Sequence, residues 1–197
     1  MAGFAGGSAY AGTGPMFEID GLIIACQAAL QESRPQLAIR EILERAVSEP
    51  GGVERALGTP KRAGIRTLYR SSELTILNLI WGPRMSLYPH DHRMWAVIGL
   101  YGGQEDNVFF RRTDSGLAAA GNKRLEGSDT ILLGETVIHA VENPLEQLTG
   151  AIHIYGGDFF GVPRSEWDPA SFQERPYDVE NVKRIFEESN SRLPPDS

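Results

Sequence analysis

The chain of 197 residues contains a single cysteine, Cys26, and this scarcity excludes an internal disulfide framework. Basic residues are also few, because 19 lysines and arginines stand against 26 aspartates and glutamates, which gives a net charge of −7. Nucleic-acid phosphates bind to basic surfaces, so this balance argues against nucleic acid as a partner. No apolar run reaches the roughly 20 residues that a helix needs to cross a bilayer. These absences predict a cytoplasmic protein with neither a membrane nor a nucleic-acid partner.

Residues 1–15 are mostly Gly, Ala, Ser and Thr, and they lack the cationic start and apolar block of a signal peptide. We expect them to form a flexible tail. Residues 16–197 are then expected to form one domain, because single domains commonly contain roughly 100–200 residues. Within it we predict a helical layer at 16–60, a barrel at 62–156 and an extension at 157–197.

Apolar residues recur at helical spacing in the predicted helical layer. The first helix is expected to begin near Asp20 as its N-cap, and the second at Pro35. The stretch 50–52, Pro-Gly-Gly, is expected to end the second helix, with a short third turn at 53–57. A last helix is predicted in the extension, at about residues 179–189.

Short apolar segments separated by Gly, Pro and Asp fill the middle of the chain. The predicted strands cover residues 64–70, 74–82, 94–101, 107–112, 127–133, 135–141 and 149–155. Many short strands of this kind are typical of a sandwich or a barrel. The predicted fold class is therefore mainly β.

All four histidines of the chain lie in this β-rich section. His90 and His92 are two residues apart, so on a strand they project from the same face. His139 lies in another predicted strand, and His153 in the last. Each could be a separate core histidine, but the spaced pair and a third histidine in one barrel favour a shared metal ion. We predict that His90, His92 and His139 hold that metal.

The ligand type does not select the metal, since imidazole binds Zn, Cu, Fe and Ni. Three neutral histidine ligands contribute no negative charge, so the metal ion keeps its full positive charge. Such a site attracts anionic ligands such as a thiolate and keeps positions open for small molecules. Zinc in the same site would instead activate water.

The motif His90-Asp91-His92, the later His139 and the run 151–155, Ala-Ile-His-Ile-Tyr, resemble the cupin superfamily. More closely they resemble thiol dioxygenases of the cysteine dioxygenase type, including bacterial 3-mercaptopropionate dioxygenase-like proteins. The resemblance covers about residues 62–155. Cupins usually have a glutamate soon after the paired histidines, whereas residues 93–97 contain none. Lack of this glutamate distinguishes the thiol dioxygenases.

The resemblance implies a single cupin barrel, which is a double-stranded β-helix or jelly roll, with an N-terminal helical layer and a C-terminal helix. It also implies that the three histidines hold Fe(II). In that family the partners are a small thiol and O2, and the thiol is oxidised to a sulfinate.

His153 and Tyr155 are two residues apart and therefore share one face of their strand. The resemblance implies a Ser-His-Tyr relay beside the metal, in which these two residues would be catalytic. Ala151 occupies the position of the serine, so the hydrogen bond to His153 is either lost or supplied by another group. A crosslink between cysteine and this tyrosine, known in the family, is excluded because Ala96 or Val97 occupies the cysteine's region.

The resemblance also implies an arginine that binds the substrate carboxylate from the hairpin before the paired histidines. Arg66 is the first candidate, because a turn at 71–72 would place it opposite Leu77, and Arg70 is the second. Trp95 is a further substrate-binding candidate if a bulge turns it into the pocket. Arg164 is expected to be solvated or paired with acidic residues.

The predicted function is that of an Fe(II)-dependent thiol dioxygenase acting on a small carboxylate-bearing thiol. One alternative is a cupin enzyme that uses Zn, Ni or Mn for chemistry on other substrates. Another is a cupin that binds a small ligand without catalysis. The identity of the thiol and the oligomeric state stay open at this point.

Overall fold

The computed structural model describes residues 17–194, so the tail predicted at 1–15 lies outside the described residues. Three helices come first, then eleven strands, then a last helix. In chain order the elements are α1 (Ile19–Ala29), α2 (Pro35–Val47), α3 (Pro50–Leu57), β1 (Gly64–Arg70), β2 (Thr75–Trp81), β3 (Ser86–Asp91), β4 (Ala96–Gly102), β5 (Gln104–Thr113), β6 (Gly116–Glu126), β7 (Thr130–Leu133), β8 (Ile138–Glu142), β9 (Thr149–Tyr155), β10 (Ser165–Trp167), β11 (Glu174–Pro176) and α4 (Val179–Asn190).

The strands form two antiparallel sheets. One has the order β1-β2-β9-β4-β7 and the other the order β11-β10-β3-β8-β5-β6. Strands distant in sequence are neighbours in both sheets, as when β9 runs between β2 and β4. This architecture confirms the predicted mainly β fold of the double-stranded β-helix type.

The helical layer covers the first sheet on one side. Leu43 of α2 packs in one core cluster with Val97 of β4 and Ile152 of β9. A Cβ atom at Gly99 would lie 2.8 Å from the Leu43 side chain, so only glycine permits this approach of α2 to β4. Cys26 is buried in the same cluster, and burial raises the pKa of its thiol to about 12. Cys26 therefore acts as a packing residue on the buried face of α1.

Several predicted boundaries are wrong, for local reasons. The chain's second helix ends at Val47, and Pro50 opens a third helix instead of ending the second, because proline is well tolerated at the first helical position. The pattern of apolar residues predicted no strand over β3, which contains Pro89, and none over β6. Most residues of β6 are exposed at the sheet edge, so apolar alternation is absent there.

The last helix, α4, confirms the helix predicted in the extension. Asp178 caps it by accepting a hydrogen bond from the backbone N–H of Asn181. Phe186 stacks on Trp81 of β2, with ring centroids 6.1 Å apart, and Val182 belongs to the same cluster. The helix thereby becomes one wall of the cavity described below. Over residues 17–194, no helix has the length and apolar character needed to span a membrane.

Candidate metal centre and its cavity

Three buried histidines converge at one point between the two sheets' strands. His90 lies near the end of β3 and pairs in register with His139 of β8, while His92 follows β3 directly. One ring nitrogen from each lies within 4.8 Å of those of the other two. Arg93, with a φ of 58°, then turns the chain away and pairs with Asp91 at 2.6 Å. The structure therefore brings together the three histidines that the sequence predicts as ligands.

The hydrogen bonds of two rings fix which nitrogen faces the centre. Nδ1 of His90 lies 2.8 Å from the carbonyl oxygen of Tyr88, which can only accept, so Nδ1 donates. Nδ1 of His139 lies 2.7 Å from Oδ1 of Asn107 and donates in the same way. In both His90 and His139, the Nε2 atom then carries no proton and has a free lone pair. Metal-bound histidines commonly have such partners on their second nitrogen.

The protonation of the three rings also suits a metal ion. Burial lowers the pKa of His90 to about 4, and burial together with the neighbouring histidines lowers the pKa of His92 and His139 well below the usual value. Nε2 of His92 lies only 3.3 Å from Nε2 of His139. A cation satisfies lone pairs that converge in this way, and neutral imidazole is the form that metals bind. The donor set therefore fits a divalent metal ion.

Acidification is expected to destabilise the metal-free protein. The pKa of His90 is about 4 in the folded state against an ordinary 6.5, so between these values the unfolded chain binds a proton that the folded protein does not. This contribution to stability is present above pH 6.5 and is lost as the pH falls towards 4. Urea titrations of metal-stripped protein across this range should show the free energy of unfolding falling with pH. His90→Gln should flatten the dependence, and an unchanged slope would assign it to other groups.

A cavity of about 530 Å³ opens beside the triad, between β1 and α4. His153 and Tyr155 of β9 line it together with the three histidines. Nδ1 of His153 lies 3.1 Å from the hydroxyl of Tyr155, and the Tyr155 ring lies edge-on to His92, with centroids 5.1 Å apart. Burial raises the pKa of Tyr155, which keeps its hydroxyl protonated. The predicted pair of catalytic residues thus lies next to the candidate metal centre.

The predicted substrate-binding arginines do not line the cavity. Arg66 pairs with Asn78 rather than with Leu77, so it shares the face of Asn78, whose side chain contacts Tyr101 beneath the helical layer. Ile65 and Thr67, its two neighbours, line the cavity instead. A bulge between residues 67 and 69 shifts the register. A slip of one residue reverses the face to which a strand side chain points.

Arg70 and Trp95 also lie outside the cavity lining. Arg70 forms two hydrogen bonds with Asp158, at 2.8 and 2.9 Å, and lies over the ring of Phe160 at the cavity rim. Trp95 packs against the cluster beneath the helices. Its indole lies so close to Gly156 that a Cβ there would be 2.0 Å from the ring.

Arg164 is the arginine that reaches the cavity. Its guanidinium is held between two rings, 3.9 Å from the centroid of Phe159 and 4.3 Å from that of Tyr177. Its Nη1 atom is buried and has no hydrogen-bond partner within residues 17–194. Arg164 is half-buried, and no salt bridge joins it to an acidic residue within residues 17–194, so the expected pairing with acids is not found. It lies in an irregular connection before β10, where no periodic pattern signals the direction of a side chain.

No protein-family model matches the chain. Among solved structures it is similar to an RmlC-like cupin family protein with a double-stranded β-helix fold from Methanocaldococcus jannaschii. That match has 8% identity, covers 52% of this chain and 87% of the other, and has a TM-score of 0.44. A cupin 2 conserved barrel domain protein from Salinispora arenicola matches with 12% identity, coverage of 64% and 84%, and a TM-score of 0.39. The DMSP lyase DddQ from Ruegeria pomeroyi matches with 14% identity, coverage of 55% and 53%, and a TM-score of 0.43.

Proposed function

We propose that this protein is an Fe(II)-dependent dioxygenase that oxidises a carboxylate-bearing thiol to a sulfinate with O2. The observation that carries the proposal is the composition of one cavity. Three neutral histidine donors, a Tyr155–His153 pair and Arg164 all face the same space, and Arg164 has no anionic partner among residues 17–194. In the proposed reaction both oxygen atoms of O2 become bonded to the thiol sulfur. The sulfur supplies the electrons that reduce them, so no other reductant is needed.

His90, His92 and His139 would hold the iron, which supplies binding positions for a thiolate and for O2. The ligands are uncharged, so the site keeps a net positive charge that favours an anionic sulfur over a neutral thiol. The Tyr155 hydroxyl stays protonated and contributes a polar group next to His92. Its role in the proposal is to orient the substrate and to exchange a proton with a group in the cavity.

Arg164 supplies the charge that would bind the substrate carboxylate. A guanidinium presents parallel N–H donors that match the two oxygens of a carboxylate. The flanking rings of Phe159 and Tyr177 hold its plane in place. A buried donor without a partner carries a cost, which an anionic ligand would remove. These features support Arg164 as the carboxylate-binding residue in place of Arg66 or Arg70.

The mouth of the cavity favours a thiol with an apolar body. Ile65, Phe160 and Val179 line it, and each is exposed by more than two fifths of its surface. Isolated exposed apolar residues are common, but three around the opening of one cavity form a surface for an apolar ligand. A volume of about 530 Å³ also leaves room beyond a three-carbon acid. The proposed substrate class is therefore mercapto acids that carry an additional apolar group.

Oxygen uptake by Fe(II)-loaded protein tests the function. The panel contains cysteine, 3-mercaptopropionate, mercapto acids with alkyl or aryl substituents, and the same acids without sulfur. We expect uptake only with thiols, one sulfinate formed for each O2 consumed, and the lowest KM for a substituted acid. Zinc- and nickel-loaded protein serve as controls. Purification with stoichiometric zinc, combined with no iron-dependent oxygen uptake, would contradict the proposal.

A further inference from the structure

Glu105 of β5 is a fully buried carboxylate near the candidate metal centre. The residue is 0% exposed. Nε1 of Trp81 donates to its Oε2 at 2.7 Å, and Nδ2 of Asn107 donates to its Oε1 at 3.0 Å. A buried carboxylate is costly unless hydrogen bonds satisfy it. Its two donors, and its place between Asn107 and His153, indicate a function for the charge.

On one side, Glu105 fixes the orientation of Asn107 and through it the proton of His139. An ionised carboxylate can only accept, so the Asn107 amide must direct its nitrogen towards Glu105. The amide oxygen then faces Nδ1 of His139 at 2.7 Å. That nitrogen must carry the proton, and Nε2 of His139 is left free to bind a metal.

On the other side, Glu105 faces the histidine of the predicted relay. Oε2 of Glu105 lies 3.7 Å from Nε2 of His153, a ring nitrogen with no hydrogen-bond partner among residues 17–194. An N–H group, rather than a lone pair, is favoured beside a carboxylate. With its proton on Nε2, His153 accepts through Nδ1 from the hydroxyl of Tyr155. The oxygen of Tyr155 then stays available as an acceptor within the cavity.

We propose that Glu105 is a positioning residue that sets the proton positions of His139 and His153 at once, in place of the serine hydroxyl that Ala151 lacks. A single acceptor-only group thereby orients both a candidate metal ligand and the histidine of the predicted relay. Burial alone raises the pKa of Glu105, but His153, Asn107 and Trp81 more than offset this, so its pKa lies below the usual value. Two N–H donors on its oxygens favour the ionised carboxylate, which the proposed hydrogen-bond pattern requires.

Glu105→Gln is a direct test, because an amide has one acceptor oxygen and one donor nitrogen where a carboxylate has two acceptor oxygens. Trp81 can only donate, so the new amide oxygen must take the place of Oε2 and the amide nitrogen that of Oε1. Asn107 must then rotate and present its own nitrogen to Nδ1 of His139. The proton of His139 is expected to move to Nε2, the atom that faces the metal centre. His153 keeps an acceptor next to Nε2 and should keep its proton there.

The measurement is a long-range proton–nitrogen NMR spectrum of the metal-free protein with labelled histidines. The chain has only four histidines, so a tag-free sample gives four ring systems, assigned with single His→Gln variants. In the wild type we expect protons on Nδ1 of His139 and Nε2 of His153. In Glu105→Gln we expect the His139 proton on Nε2. A matched control is Asp106→Asn, the same chemical change one residue along β5, where the side chain pairs with Arg124.

A second measurement follows the metal. Loss of a partner of a metal-bound histidine commonly lowers metal affinity roughly 10- to 100-fold, so Glu105→Gln should weaken iron and zinc binding by that factor and Asp106→Asn should not. A proton on Nδ1 of wild-type His153, or an unchanged His139 proton in Glu105→Gln, would overturn the proposal. The wild-type spectrum alone can overturn the proposal, even if the Glu105→Gln variant does not fold. Neither measurement uses a thiol or O2, so the outcome is independent of the proposed dioxygenase activity.

Discussion

Replacement of His139 with alanine is expected to abolish retention of the metal ion and all thiol-dependent oxygen uptake. His139 is 1% exposed and supplies one of only three donors in the cluster. Its removal leaves a buried space and two ligands, which is too few to hold a divalent ion against water and buffer. Metal analysis after loading with iron and gel filtration should therefore show no bound iron above background.

His153→Ala is the matched control for this experiment. It removes the fourth histidine, which lines the same cavity and lies outside the three-histidine cluster. We expect this variant to retain stoichiometric metal but to lose activity, because Tyr155 loses its hydrogen-bond partner. Metal retained by His139→Ala, or lost only from His153→Ala, would mean that the third ligand is assigned to the wrong histidine.

Replacement of Arg164 with methionine is expected to lower kcat/KM for a carboxylate-bearing thiol roughly 10- to 100-fold, because a hydrogen bond to a charged group is worth about 1.5–3 kcal/mol. Methionine keeps an apolar stem between Phe159 and Tyr177 but removes the charge. Most of the loss should lie in KM. The amide of the same thiol acid has no carboxylate to bind, so its kinetics should change little. Metal content should stay at the wild-type level.

Arg66→Met and Arg70→Met are matched controls that separate three candidate arginines. Arg66 faces the helical side of β1, and Arg70 is paired with Asp158, so neither change should alter KM more than about twofold. A large rise in KM for Arg66→Met, with Arg164→Met unaffected, would restore the arginine predicted from the sequence. If Arg164→Met lowered kcat/KM equally for the thiol acid and for its amide, Arg164 would not bind the substrate carboxylate.

The three-histidine cluster is the part of the candidate site that the sequence predicts best. Two histidines two residues apart need only an extended backbone to share a face, and β3 provides it as far as Asp91. Apolar alternation likewise predicts the central strands, and β9 has the predicted bounds of 149–155. Local pattern was insufficient for β6, whose stability comes from pairing with β5 and not from an apolar face of its own.

The candidate arginines show that the alternation of side chains between the two faces of a strand cannot be extended across a β-bulge. The predicted hairpin gave Arg66 the partner Leu77, on the face that points into the barrel. One extra residue between 67 and 69 gives it the partner Asn78 and turns its side chain to the other face. The residue that does reach the cavity, Arg164, comes from an irregular connection whose path is set by packing of Phe159 and Tyr177 around it.

The β-rich fold, the helical layer and the cluster of three histidines can be predicted from the residue pattern, because each depends on backbone periodicity over a few residues. The positions of Arg164, which faces the cavity, and of Glu105, which lies between His153 and Asn107, depend instead on tertiary packing. These contacts join strands that are distant in the chain, and a buried charge is stable only where such distant partners meet it. Their positions follow from the packing of two sheets, which no local pattern of residues contains.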